Sequence, residues 1–557
     1  MALPFLPITR GEIERLGWSQ VDVVLITGDA YVDHPSFGAA VIGRVLEREG
    51  YRVAILAAPA WRDPDAVKVF GKPRLFFGVT SGNVDSMISR YTAFKKVRND
   101  DPYAPGGKGG GRPERAVIVY CNMIKAAYKD VPIVLGGIEA SMRRFAHYDF
   151  WDNRVRRSIL EDARADILVY GMGERQIAEI ASRVETGGAL SGIPGTVELT
   201  RKVPHNAMLL PDEEDVLSDK DAFLRFNGDF YRNQRLTLAQ SAGGRYIVQH
   251  PAPVIDSTAL DDVYALPFAR RPHPLYGNDV IPAFEMIRNS VTSHRGCVSG
   301  CAFCSLSLHQ GRRIVPRSAG SILREIDGLR AMEYFRGHVT DIGGPSANMY
   351  GAVCRANWRC SRESCLYPDV CKNLGIHTDA WVRLLGRALE IQGVRHVTVG
   401  SGIRYDLLMR DDEKYLLELM RRHVSGYLKI APEHTSERVL GAMRKTPVYP
   451  LEKFAERFER NKRALGKKMY ILPYLMSCHP GCSQSDMSGL RATMLSIFGS
   501  IPEQVQAFIP LPMTLSSVQF YTGVDPLTGD EVFVERDGAK RRMQHAVLTK
   551  KGPENRH

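Results

Sequence analysis

VDVVLITGDAYVDHPSFGAAVIGRVLEREGYRVAILAAP, Val21–Pro59, sets two apolar runs on either side of a segment with helical spacing. The first run, VDVVLITGDA, is apolar almost throughout and stops at Gly28, the pattern of a parallel strand buried on both faces. GAAVIGRVLEREG, Gly38–Gly50, has the spacing of an amphipathic helix and ends on glycine. YRVAILAAP then reads as the next strand. Working outward, PRLFFGVTSG (Pro73–Gly82), DVPIVLGGIEAS (Asp130–Ser141) and ADILVYGMGE (Ala165–Glu174) repeat the strand pattern. Strands separated by helix-length segments predict an α/β fold over 1–185, a Rossmann-like doubly wound parallel sheet. Ligands of such sheets lie past the carboxyl ends of the strands, where the loops Gly28–Gly38, Gly136–Ser141 and Gly171–Glu174 fall.

Two stretches break the pattern. DPYAPGGKGGGRPER, Asp101–Arg115, is too rich in Gly and Pro for an element interior, contains no Walker sequence, and reads as a mobile surface loop. Residues 186–280, with the proline-rich ALPFARRPHPLYG, read as an extended connecting region, and the domain boundary is placed near Asn278–Ile281.

Alternation then resumes. HVTDIGGP, RHVTVGSG, GYLKIAPEH, KKMYILPYLMS and QVQAFIPLP read as strands after a first one at NSVTSHRG. Ile322–Tyr334, Asp379–Gln392, Glu413–His423, Leu451–Leu465 and Ser485–Phe498 read as the intervening helices. The repeat predicts a partial TIM-like (β/α)6 barrel over 281–515, with a Cys-rich insertion at 347–375 and a basic C-terminal tail at 516–557. Chemistry in such barrels sits on the loops that follow the strands.

The chain has 557 residues, more than one core usually holds, since cores rarely grow past about 250–300 residues. It has no run of eighteen apolar residues and no signal-like start, so no membrane span and a cytoplasmic location are expected. The formal charge of +12 admits RNA as a partner. Much of the excess lies in AKRRMQHAVLTKKGPENRH, Ala539 to the end, read as mobile.

Of ten cysteines, Cys121 stands alone as a core thiol, and the rest are grouped. In a reducing compartment, grouped cysteines point to metals or catalysis rather than disulfides. HRGCVSGCAFCSL, His294–Leu306, carries Cys297, Cys301 and Cys304 in a C-x3-C-x2-C arrangement after the first strand of the second repeat. A structural zinc site needs four ligands. Three thiols suit a [4Fe–4S] cluster in which one iron keeps an open position for a small molecule.

This motif at this position resembles the radical S-adenosylmethionine (SAM) superfamily, and the chain as a whole resembles its YgiQ family, including the N-terminal cobalamin-binding-like domain. The resemblance implies that Cys297, Cys301 and Cys304 ligate a [4Fe–4S] cluster. It places Phe303, Gly343 and Gly344 against SAM, the glycines in DIGGP where Pro345 replaces the usual acidic residue. SGIRYD and APEHTSERVLGAMRK resemble the ribose and carboxylate side of that site. It further implies reductive cleavage of SAM to a 5′-deoxyadenosyl radical, a reducing partner such as flavodoxin or ferredoxin, and a branch that includes methyl- and methylthiotransferases. Histidine ligation of cobalamin uses D-x-H-x2-G, whereas Asp33 and His34 are adjacent here. The domain therefore either binds cobalamin without that ligand or binds none.

A second group, Cys354, Cys360, Cys365 and Cys371, fits a second iron–sulfur cluster or a zinc ion. Cys478 and Cys482, in CHPGC, complete a metal site, form a redox pair, or are spectators of a turn. His294 and Arg295 are read as tuning the cluster or as strand-end residues, and Glu433 with His434 as an acid–base pair or as structural. Met142–Ser158, with Arg among Phe, Tyr and Trp, is read as a base-stacking surface or an amphipathic helix. The alternative to an enzyme is a metal-stabilised RNA-binding protein.

Overall fold

The computed structural model describes residues 4–549 except Arg359, Val448 and Glu503. The described residues up to Ile255, with Asp262–Arg288, make one compact unit; Asp256–Asp261 and the residues from Asn289 onward make another.

In the first unit, β1 (Val23–Thr27), β2 (Val53–Ala57), β3 (Phe76–Thr80), β4 (Ile133–Leu135) and β5 (Ile167–Val169) pair in parallel, in the order β2-β1-β3-β4-β5. Every residue of β1 is buried, and Val23 lies opposite both Val53 and Phe76, as expected of a strand sandwiched between helical layers. The crossovers include α1 (Gly38–Arg48), α2 (Ala116–Ala127) and α3 (Glu174–Thr186). Chain order reverses between β1 and β3, the switch point at which such sheets open a crevice.

Residues 186–280 do not form a connection. β6 (Thr196–Thr200), β7 (Met208–Leu210), β8 (Leu238–Ala242) and β9 (Arg245–Gln249) extend the sheet to nine strands, ending β7-β8-β9-β6-β5. β6 runs antiparallel to β5, and β9 antiparallel to β6. The prolines beyond them serve an edge contact: Arg271–Pro272 pairs antiparallel with Val32–Asp33. The result is an α/β fold with a parallel-rich central sheet.

In the second unit, parallel pairings follow chain order. β10 (Ser290–Thr292) pairs with β12 (Asp341–Gly343), and β11 (His338–Val339) pairs with β13 (His396–Val397). Ile403 bridges to Ile430 of β14 (Tyr427–Glu433), which pairs with β15 (Tyr470–Ser477), and that in turn with β16 (Val505–Ala507). Helices α4 (Ala319–Leu329), α5 (Thr378–Leu389), α6 (Glu413–Arg422), α7 (Tyr449–Leu465) and α8 (Gln484–Phe498) stand between them.

The expected C-terminal tail is folded as far as it is described. α9 (Leu515–Thr522) and α10 (Gly538–Thr549) carry buried residues, and Arg541 of α10 donates to the Phe508 carbonyl at 2.8 Å. The remainder of that stretch, 550–557, lies outside the described residues. Among the described residues no helix is long and apolar enough to cross a membrane.

Candidate metal and cofactor site

The loop after β10 is held by backbone bonds to segments far away in sequence. The Ser293 amide donates to Gly343 of β12 at 2.7 Å, and His294–Arg295 pairs antiparallel with Val315–Pro316. The Cys297 amide donates to the Gly311 carbonyl at 3.1 Å and the Gly296 amide to Gln310 Oε1 at 3.2 Å. Gly296 has φ +89°, and a β-carbon there would stand 1.9 Å from the Arg313 carbonyl oxygen, so only glycine fits. Farther along, the Ala302 amide donates to Met443 O and the Ala302 carbonyl accepts from the Ser516 amide, both at 2.9 Å. The loop is thus shaped without using its thiols.

Those thiols are free: Cys297 is buried, and Cys301 and Cys304 are half-buried. Burial pushes the Cys301 thiol up, while Lys445 and Arg404 pull it down and Cys297 adds to the rise. Burial also raises Cys304, and so do Cys301 and Cys297. The three sulfurs therefore lie within electrostatic reach of one another. Among the described residues no three Cys, His, Asp or Glu side chains close on one point, as around a single bare ion. A cubane cluster gives each cysteine its own iron, and three separate thiols on one loop fit that group.

Arg404, on the loop after β13, is the group that sequence reading missed. It is 7% exposed, and its Nη1 donates to Ser299 Oγ, between Cys297 and Cys301, at 3.2 Å. The other side of the guanidinium is taken by Asp406, whose carboxylate also accepts from Thr446 Oγ1. Asn348 fixes the backbone: the Arg404 amide donates to its Oδ1, and its Nδ2 donates to the Arg404 carbonyl. Lys445 is buried, donates to the Ala431 carbonyl, and lies 3.5 Å from Glu433. SGIRYD and APEHTSERVLGAMRK contain both cations, but spacing alone does not reveal that they converge on Cys301.

Gly343 and Gly344 sit where side chains have no room. A β-carbon on Gly343 would stand 2.1 Å from Asp341 Oδ2, and one on Gly344 would stand 2.4 Å from His294 Cε1. Asp341 in turn accepts from the Gly400 and Ser401 amides. His294 is buried, which lowers its pKa to about 4, so it meets the loop as a neutral ring. Phe303 packs edge-to-face on His479 with ring centroids 6.0 Å apart, and His479 Nε2 is 2.7 Å from Ser516 Oγ.

The remaining candidates sort differently. Cys354, Cys360, Cys365 and Cys371 are free thiols of the insertion, where the Cys365 amide donates to the Val298 carbonyl of the loop at 3.0 Å. Glu433 pairs with Lys445, while His434, held to a pKa of about 4 by burial, has its Nε2 3.6 Å from Cys482 Sγ. Cys478 is buried and donates to the Arg541 carbonyl at 3.1 Å. In Met142–Ser158 the expected helix is a hairpin, His147–Asp149 with Arg154–Arg156. Two arginines just before the hairpin are used internally: Arg143 pairs with Asp85, and Arg144 stacks on Tyr170 and Phe230 at 4.7 and 5.1 Å.

At the switch point of the first unit, an arginine bridges the segments that follow β1 and β3. Arg112, from the glycine-rich loop expected to be mobile, is 4% exposed and reaches between β1 and β3. It donates to the Ser81 carbonyl and pairs with Asp29 at 2.7 Å and Asp101 at 3.2 Å. Asp33 is consumed by Arg44 and the Ala269 amide. His34 is 1% exposed, its Nδ1 accepts from the Ser36 amide, and its ring faces the edge of Phe284. Neither residue is offered to cobalt.

The family profile described as Radical SAM N-terminal matches residues 5–290, and one described as a domain of unknown function, DUF3362, matches residues 503–557. The UPF0313 protein of Geobacter sulfurreducens is 48% identical over 98% of this chain and 92% of its own length. The UPF0313 protein of Methanocella arvoryzae is 48% identical over 98% and 93%. Among solved structures, the radical S-adenosylmethionine methyltransferase TsrM from Kitasatospora setae, with cobalamin and a [4Fe–4S] cluster bound, aligns over 89% of this chain and 77% of its own. Its TM-score is 0.53 at 16% identity, a likeness of fold.

Proposed function

The chain belongs to the UPF0313 family, and from that premise we propose that it is a radical SAM enzyme, with residues 281–515 as its catalytic barrel. Cys297, Cys301 and Cys304 would hold a [4Fe–4S] cluster. One observation carries the reading: three free thiols sit on one loop whose shape is fixed by backbone bonds to other segments. When bound, such a cluster would supply the electron, drawn from a low-potential donor such as flavodoxin or ferredoxin, for reductive cleavage of SAM to methionine and a 5′-deoxyadenosyl radical.

The chain's own residues set the conditions for that chemistry. Arg404 and Lys445 bring positive charge to Cys301, favouring its thiolate. Ser299, gripped by Arg404, holds the loop between two ligands in one geometry. Gly343 and Gly344 keep β-carbons off the strand end after β12, where backbone groups and Phe303 would meet SAM. With Arg112 in the switch point, no step in this reading passes through cobalamin.

The test is anaerobic reconstitution with iron and sulfide, then dithionite and SAM. Brown protein that forms 5′-deoxyadenosine is the expected result. A colourless zinc protein that forms none would overturn the reading in favour of a metal-stabilised RNA-binding protein.

A further inference from the structure

We infer that Cys354, Cys360, Cys365 and Cys371 hold a second iron–sulfur cluster, ligated by four thiolates and packed directly against the loop of the first. The adjacency rests on the reading above; the site itself does not. Between Tyr350 and His377 the described residues contain one regular feature, the two-residue ladder Val353–Cys354 with Leu374–Gly375. Small segments with so little ladder and core need a staple, such as a metal centre or disulfides.

The ladder and its turns tie Cys354, Cys365 and Cys371 together through the backbone, with Cys360 on the segment between the first two. Cys354 lies opposite Leu374, and the Leu374 amide donates to the Cys371 carbonyl at 3.0 Å. The Cys371 amide donates to the Cys365 carbonyl at 2.8 Å. Arg362 shapes the intervening turn through the carbonyls of Ser364, Tyr367 and Asp369. All four are free thiols. Their spacings are five, four and five intervening residues, so the first and third are wider than the C-x2-4-C pairs of zinc knuckles, and four thiolates are a donor set that an Fe–S cluster takes.

The insertion also touches the first loop backbone to backbone. The Cys365 amide donates to the Val298 carbonyl at 3.0 Å, and Ser364 Oγ donates to the Ser299 carbonyl. Gly300 has φ +61°, and a β-carbon there would stand 2.3 Å from the Glu363 carbonyl oxygen. Cys297, Val298, Met349 and Leu366 share one apolar core, with Cys365 and Trp358 packed against it. Two clusters held this way are magnetic neighbours.

The experiment counts iron and sulfide in the full chain, reconstituted anaerobically with ferrous iron and sulfide. Wild type should hold about eight irons, and both the Cys297→Ala/Cys301→Ala/Cys304→Ala variant and the Cys354→Ser/Cys360→Ser/Cys365→Ser/Cys371→Ser variant about four each. Reduced wild type should show an electron paramagnetic resonance signal broadened by coupling between the clusters, and each multiple variant a simple one. Iron in the quadruple variant but none in a folded triple variant, or zinc in place of iron, overturns the second cluster and leaves the first intact. Iron in the triple variant but none in a folded quadruple variant refutes the first site instead. Should either multiple variant fail to fold, Cys360→Ala alone, at an exposed position, should lose half the iron with an unchanged circular dichroism spectrum. A full iron count in Cys360→Ala would equally overturn the inference.

Discussion

Arg404 Nη1 donates to Ser299 Oγ at 3.2 Å while the same guanidinium is clamped by Asp406. A residue on one strand-end loop thereby fixes the middle of another loop more than a hundred positions earlier. Arg404→Met should strand the Asp406 carboxylate, which burial opposes and Arg404 holds in its charged form. Breaking a buried pair from one side costs about 3–5 kcal/mol, and Arg404→Met/Asp406→Leu should recover most of it. Denaturant unfolding of the apo-protein measures both; equal stabilities for wild type and Arg404→Met would refute the coupling.

Cys301→Ala should leave the fold nearly untouched, because the loop is held by backbone bonds such as Ala302 to Met443 and Ser516. Its unfolding free energy should fall within about 1 kcal/mol of wild-type apo-protein. Release of 5′-deoxyadenosine should drop to the level of a reaction without protein. Normal turnover by this variant would remove Cys301 from the site.

Asp29 predicts a pH dependence. Burial lifts its pKa from 3.8 to about 6, because Arg112 is shared with Asp101 and cannot fully compensate both carboxylates. The folded state then binds a proton that the unfolded state releases, so stability is greatest below pH 4 for this group and is lost as pH rises towards 6. The loss is about 3 kcal/mol for a shift of this size. Asp29→Asn should flatten the profile between pH 4 and 6, as unfolding titrations across that window would show. A profile of unchanged slope would contradict it.

Cobalamin added to the wild-type protein should produce no shift in its visible spectrum, since Arg112 fills the switch point and His34 is inside the core. His34→Ala should alter stability rather than corrin binding. Tight binding to wild type that is lost in His34→Ala would reverse this conclusion.

The parallel strands of the first unit were legible because burial on both faces leaves an unbroken apolar run, as in Val23–Thr27. β8 was not, because LAQSA places Gln240 in the sheet interior, where its Nε2 is satisfied by the Pro211 carbonyl. Arg143 and Arg144 read as part of a base-stacking surface or an amphipathic helix, yet one pairs with Asp85 and the other stacks between rings. Arg112 was hidden by the glycines around it, which suggest mobility but here let the loop fold onto the strand ends. For the site, thiol spacing picked out the cysteine groups directly. Arg404 was invisible because its partners, Ser299, Asn348, Asp406 and Thr446, converge only in three dimensions.

The Ser516 amide that holds Ala302 belongs to the last fifty residues of the chain, the part whose composition reads as a basic tail. A protein shortened before β16 would lose that amide, the His479 partner Ser516 Oγ, and the carbonyl that receives Cys478. The loop would then be released at its distal end. Dissection of this protein into a minimal piece that keeps the cysteine loop therefore has no free cut after α8: its C-terminal segment works as a latch, and swapping the second unit between relatives requires carrying the latch along.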